Sequence, residues 1–203
     1  QYQALIQNAN CHFVKNRIAS SWGKYSLVQA TLNTLQEVHD FMSTTFSRAN
    51  YHFVMLSGED LPVKSNQYIH NFLENNIETS FLHHWQLPYE NWWGGGWFRM
   101  ENLYFFDYKK HQKYNYWVNK WIRKIQLSCL LPINQFKKRF PSFTIYGSSQ
   151  WMILNQDLVS FVLQVSNENP KFNAIFKHVL APDELYFATL IANFDLERKY
   201  ILR

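Results

Sequence analysis

Tyr51-His52-Phe53-Val54-Met55-Leu56 runs straight into Ser57-Gly58-Glu59-Asp60-Leu61-Pro62, and the reading of this junction decides the fold. The first six residues are apolar and β-prone, the pattern of a buried strand. The next six form a small-residue turn with two acids and a closing proline. A buried strand that delivers carboxylates to a loop is where open α/β sheets place ligand sites. The same turn also serves as a purely local device, its acids solvated or capping the next helix.

Upstream, Val28, Leu32, Leu35, Val38 and Met42 recur at spacings of three and four with polar residues between them, which predicts an amphipathic helix. Cys11-His12-Phe13-Val14-Lys15 reads as a strand before it, so a β-α-β unit with a right-handed crossover is expected. Downstream, Ser65 is an N-cap for a helix through Tyr68, Ile69, Phe72 and Leu73, and Phe81 to Trp85 reads as a strand. Gly94-Gly95-Gly96, flanked by Trp92, Trp93 and Trp97, predicts a mobile aromatic loop that either packs or offers a platform to a sugar, with a strand over 97–106 after it. In a helix near 112–127, Trp117, Trp121 and Ile125 mark one face and Lys113, Lys120 and Lys124 another. Strand, turn and strand follow over 143–154, then helices around Leu158 to Leu163 and Phe172 to Phe176. A last helix starts at Pro182-Asp183-Glu184, where proline suits the first position and acids complement the dipole.

The 203 residues suffice for one domain with a single core, and 47% hydrophobic with 17% charged residues excludes a disordered chain. Two distant cysteines make neither a disulfide framework nor a metal cluster, and no Asn-x-Ser/Thr acceptor occurs. These features favour a reducing, cytoplasmic setting in a microbe; a eukaryotic source would place the chain in the Golgi lumen. The net charge of +5 is uneven, with no acid between Asp107 and Asp157. Lys109, Lys110, Lys113, Lys120, Arg123, Lys124, Lys137, Lys138 and Arg139 lie in that interval, either as a solvated helix face or as a positive field for an anionic membrane surface or another anionic partner.

No CxxC, HExxH, GxGxxG, Walker or GxSxG pattern is present, so zinc, dinucleotide, P-loop and serine-hydrolase chemistries lack their signatures. His83-His84 would point to opposite faces of a strand and so cannot share one metal. Asp-x-Asp is absent as well. In a nucleotide-sugar enzyme the charge of the diphosphate leaving group would then fall to fixed cations.

Four stretches occur in a telling order: Trp22-Gly23; Leu56-Ser57-Gly58-Glu59-Asp60-Leu61-Pro62; Gly147-Ser148-Ser149-Gln150-Trp151 with Leu154 and Asp157-Leu158-Val159; and Ala181-Pro182-Asp183-Glu184 with Phe187, Thr189 and Asn193. Over roughly residues 12–195 this resembles the core-2/I-branching family of β-1,6-N-acetylglucosaminyltransferases and the related protein xylosyltransferases. The resemblance implies an α/β, GT-A type nucleotide-sugar fold with a mixed, mainly parallel central sheet flanked by helices. It also implies an inverting, metal-independent transfer of N-acetylglucosamine or xylose from UDP-GlcNAc or UDP-xylose to a glycan or lipid-linked acceptor, as in polysaccharide biosynthesis. The UDP-sugar is a substrate; no cofactor, metal or nucleic acid is expected.

Carried over residue by residue, the family's catalytic base falls on Glu184. Ser57, Gly58 and Asp60 fall at the donor site. Trp22, Ser148, Trp151 and Asp183 fall on the acceptor side. For the family's diphosphate arginine, Arg203 in Leu202-Arg203 matches, with Arg198 and Lys199 as competitors. The family's first strand-helix unit and its C-terminal lysine segment have no counterpart, so residues 1–203 are expected to be one glycosyltransferase domain represented by its central part. Two other readings stand beside this one: a non-catalytic basic module for an anionic partner, and an inactive member of the family that only binds glycans.

Overall fold

In a computed structural model of the chain the described residues are 12–46, 50–105, 108–194 and 200–202, with the backbone alone for 108, 109 and 200–202. The elements in order are α1 (Tyr25–Thr45), β1 (His52–Val54), α2 (Asn66–Glu74), β2 (Ser80–Leu82), β3 (Trp85–Gln86), α3 (Tyr108–Lys124), α4 (Pro132–Arg139), β4 (Tyr146–Gly147), β5 (Met152–Asn155), α5 (Gln156–Glu168), α6 (Pro170–Phe176), α7 (Asp183–Phe194) and β6 (Tyr200–Leu202). Within residues 51–62 the chain forms β1 followed by a turn. The periodic stripe is α1, with Val28 and Leu35 fully buried, each such side chain contributing about 1.5–3 kcal/mol. Ser65 Oγ accepts from Tyr68 N at 3.2 Å and starts α2 as expected.

The central sheet has the order β1-β5-β2-β6. β5 pairs antiparallel with both β1 and β2, whereas β2 pairs parallel with β6. A mainly parallel sheet is therefore not what forms: two of the three ladders are antiparallel, because β5 is inserted in reverse between β1 and β2. β1, β2 and β6 nevertheless share one direction. Their C-terminal ends meet the N-terminus of β5 at one edge, with Val54 opposite Ile153, and Leu82 opposite both Met152 and Leu202. Alternation along the strands buries Leu82, Met152 and Leu154, and α5 packs against β5 and β1. On the other face Phe81 meets Phe72 of α2 with ring centroids 5.4 Å apart.

Asn155 ties strand to helix. Its Oδ1 accepts from Leu158 N at 3.0 Å as the cap of α5, and from Ser80 Oγ at 2.9 Å across the sheet. Tyr186 of α7 is fully buried beneath α5 and α6, its hydroxyl 2.9 Å from Ser166 Oγ and 2.7 Å from Asn173 Oδ1.

Two expected strands do not form. Residues 12–15 form no strand, and Cys11 lies outside the described residues, so the expected β-α-β unit is not seen. Residues 97–105 form no strand either: Trp93–Arg99 is a short turn-rich 3-10 segment in which Gly94, Gly95 and Gly96 take φ of 57°, 66° and 84°, a conformation that suits glycine alone. The triplet is thus part of a packed turn, with Trp92 and Trp97 against the core and Trp93 exposed. α3 forms as expected, and neither its Trp face nor its Lys face is the buried one. Trp117 and Trp121 are more than half exposed and Ile125 is exposed, whereas Asn115, Asn119 and Ile122 turn inward. Asn119 outcompetes the aromatic rings for the interior because it satisfies a buried backbone: Oδ1 accepts from Leu103 N at 2.7 Å and Nδ2 donates to Leu103 O at 2.8 Å.

Candidate active site

α7 begins after Ala181, whose φ of 47° turns the chain sharply, and Pro182, whose carbonyl accepts from Tyr186 N at 2.7 Å. This turn holds Glu184 at the open end of the helix. Glu184 Oε2 accepts from Arg99 Nη1 at 2.5 Å, with the Glu184 side chain 34% and the Arg99 side chain 15% exposed. Among the described residues Oε1 has no hydrogen-bond partner, so one carboxylate oxygen is fixed while the other faces outward.

Arg99 is held in turn. Its guanidinium carbon lies 3.9 Å from the centroid of Trp92, a cation–π contact. Trp92 meets Trp85 edge-on at 5.4 Å, and Trp85 stacks on Tyr89 at 4.5 Å. Gly147 lies directly beneath this group: a Cβ there would collide with the Trp85 and Trp92 indoles. Absence of a side chain at 147 is what lets the aromatic group close over Arg99.

Two polar residues of α7 set the neighbouring strand. Thr189 Oγ1 accepts from Tyr146 N and donates to Tyr146 O, both at 3.0 Å. Asn193 does the same for Thr144, at 2.8 and 2.7 Å. One helix turn apart, they act as a surrogate strand for 144–146 and bring Ser148 N within 2.8 Å of Glu184 O. From the other side Gly23 O accepts from Ala181 N at 3.1 Å. Trp22-Gly23, Gly147-Ser148 and Ala181 to Glu184 thus converge on one place, although Ser148 is buried and joins through its backbone and Trp22 is 52% exposed.

Asp183 is buried, 6% exposed, with Oδ1 unpartnered among the described residues. Burial pushes its carboxyl up to about 6; the charge of Glu184 adds to the rise, while its own backbone N–H and Arg99 oppose it. Neighbouring carboxyls therefore differ in kind, one enclosed and one reachable.

At the sheet edge the turn after β1 closes on itself. Asp60 Oδ2 accepts from Ser57 N at 2.6 Å and Ser57 Oγ accepts from Glu59 N at 3.1 Å. Gly58 has ordinary negative-φ geometry, and a Cβ there would meet nothing within 4 Å. Beside this turn a mostly apolar cleft of about 280 Å³ opens between Val54, Leu56, His83 and Trp151. His83 Nδ1 lies 3.0 Å from Ser149 Oγ, which donates to Trp151 O at 3.2 Å. Trp151 thus belongs with the ends of β1 and β2, and residues 148–151 link that cleft to Glu184. Arg203, Arg198 and Lys199 lie outside the described residues; Leu202, before Arg203, pairs with Leu82 at the same edge.

Arg99 is the residue that sequence reasoning passed over. It is the only Lys or Arg between Lys64 and Lys109, set among aromatic residues, and that isolation was the available signal.

A mixed α/β domain with a half-open carboxylate at the start of α7 and a cleft at the sheet edge is the class that geometry alone defines. The family model described as Core-2/I-Branching enzyme matches residues 2–201, and the protein belongs to that family. Its members are glycosyltransferases, which take a nucleotide-sugar donor and a glycan acceptor. No curated protein matches the chain significantly.

Proposed function

We propose that this protein is an inverting glycosyltransferase of GT-A type that moves N-acetylglucosamine or xylose from a UDP-sugar to a glycan hydroxyl, with Glu184 as general base. In a single displacement the acceptor oxygen bonds to the anomeric carbon as the bond from that carbon to the diphosphate oxygen breaks. UDP leaves, the configuration inverts, and the hydroxyl proton passes to Glu184 Oε1. The observation that carries the reading is the Arg99–Glu184 pair: Nη1 fixes Oε2 at 2.5 Å and leaves Oε1 accessible. Fixing a base in this way supplies orientation in advance of the reaction.

The donor is assigned to the cleft at the ends of β1 and β2, lined by Leu56, which leads into the turn of Ser57, Gly58 and Asp60, and by Trp151. The common direction of β1, β2 and β6 supports that placement, since ligands gather at the C-terminal ends of parallel strands. Trp22 and Ser148 lie on the Glu184 side, where the acceptor would approach. Asp183 packs the first turn of α7 from within. Metal independence rests on the absence of Asp-x-Asp.

The test is incubation of the full-length protein with a panel of UDP-sugars and a glycan acceptor, scoring UDP release with and without EDTA. Release from UDP-GlcNAc or UDP-xylose, unchanged by the chelator, is expected. Release from neither donor would overturn the donor assignment, and a loss that manganese restores would overturn metal independence.

A further inference from the structure

α3 carries a surface that the glycosyltransfer site does not use. On its outward side Tyr114, Trp117 and Trp121 are 62%, 56% and 62% exposed. At 3.6 residues per turn these rings form one stripe, and Lys113, Lys120 and Lys124 form the stripe beside it. Lys120 Nζ lies 4.8 Å from the Trp117 ring centroid, so cations and rings share one face. Past the helix Ile125, Leu127 and Leu130 add aliphatic surface at 38%, 41% and 43% exposure. The opposite side, Asn115, Asn119 and Ile122, is anchored to the domain. No acid occurs from Tyr108 to Gln156.

We propose that this outward face of α3 docks on the anionic headgroup surface of a lipid bilayer, with the helix lying in the plane of the interface. Trp and Tyr partition to the boundary between headgroup and acyl chain, lysines above them meet lipid phosphates, and a surface-lying helix needs that pairing of rings and cations. Charge argues against a second copy of this chain, which would bring one positive face against another. The aliphatic run argues against nucleic acid, which offers stacking and phosphates but no apolar medium for leucine and isoleucine. No described helix is long and apolar enough to cross a membrane, so the mode is attachment to one leaflet. The inference is independent of the reading of Glu184.

Flotation of the full chain with phosphatidylcholine vesicles, and with vesicles containing phosphatidylglycerol, tests it. Binding to the anionic vesicles alone, weakening as salt rises, is the expected result. The triple substitution Lys113→Gln, Lys120→Gln and Lys124→Gln should lower partitioning roughly a hundredfold. All three lysines are exposed, so this variant keeps its fold. Trp117→Ala with Trp121→Ala should lower binding at high salt as well, where the apolar contribution remains. Equal partitioning on both vesicle types, or undiminished binding by the triple variant, overturns the proposal. So does failure to float together with either tight binding of single-stranded RNA or dimerisation in sedimentation runs.

Discussion

Arg99 Nη1 and Glu184 Oε2 are 2.5 Å apart although 85 residues separate them in the chain. Arg99 closes the glycine-rich turn and Glu184 opens α7, so the pair joins two parts of the domain at the point where three sequence patterns converge. A guanidinium stacked on Trp92 keeps little rotational freedom, and what it holds is correspondingly fixed.

Replacing Glu184 by Gln keeps size and hydrogen bonding but removes the proton acceptor. Turnover should fall by about two to four orders of magnitude, with UDP-sugar affinity nearly unchanged by calorimetry. Near-normal turnover, or affinity falling in step with rate, would assign Glu184 to helix structure.

Arg99→Lys retains charge but loses the planar group that stacks and donates at once. We expect kcat to drop by about one to two orders of magnitude with KM little altered. In the Glu184→Gln background the same change should cost almost nothing, since it acts through a base already removed. An equal cost in both backgrounds would place the role of Arg99 elsewhere.

Asp183, pushed up to about 6 by burial, sets a pH dependence of stability. Below about pH 4 its carboxyl is protonated folded or unfolded and costs nothing. As pH rises through 4 to 6 the unfolded chain ionises freely while the folded one resists, so stability falls, by of order 3 kcal/mol at full effect. Asp183→Asn should remove that fall and unfold at higher urea than the parent at pH 7.5. Parallel pH profiles of the two proteins would show that burial of Asp183 carries no such penalty.

Gly58 is required neither by backbone geometry nor by neighbours. Gly58→Ala should therefore leave stability unchanged or raised by about 0.4–1 kcal/mol. If the donor lies against this turn, the added methyl should raise the donor KM about tenfold or more. An unaltered KM would move the donor away from residues 57–60.

What the sequence determined by itself is the set of local elements whose signals are local. α1 follows from its stripe and α2 from Ser65. The start of α7 follows from Pro182-Asp183-Glu184, and the turn after β1 from its small and acidic residues; each rests on contacts within a few positions of chain. The family was legible in the same way, as four short patterns in order. Tertiary structure decided the rest. β5 runs in reverse because its partners lie far away in the chain, and strand direction is set by pairing rather than by composition. α3 turns asparagines inward because Leu103 offers a buried N–H and C=O that no aromatic ring satisfies. Arg99 reaches Glu184 only because Trp92 supports its guanidinium. Gly147 lies bare beneath Trp85 and Trp92, and Thr189 and Asn193 anchor the adjoining segment. Those relations join residues scattered along the chain, and only packing brings them within reach of one another.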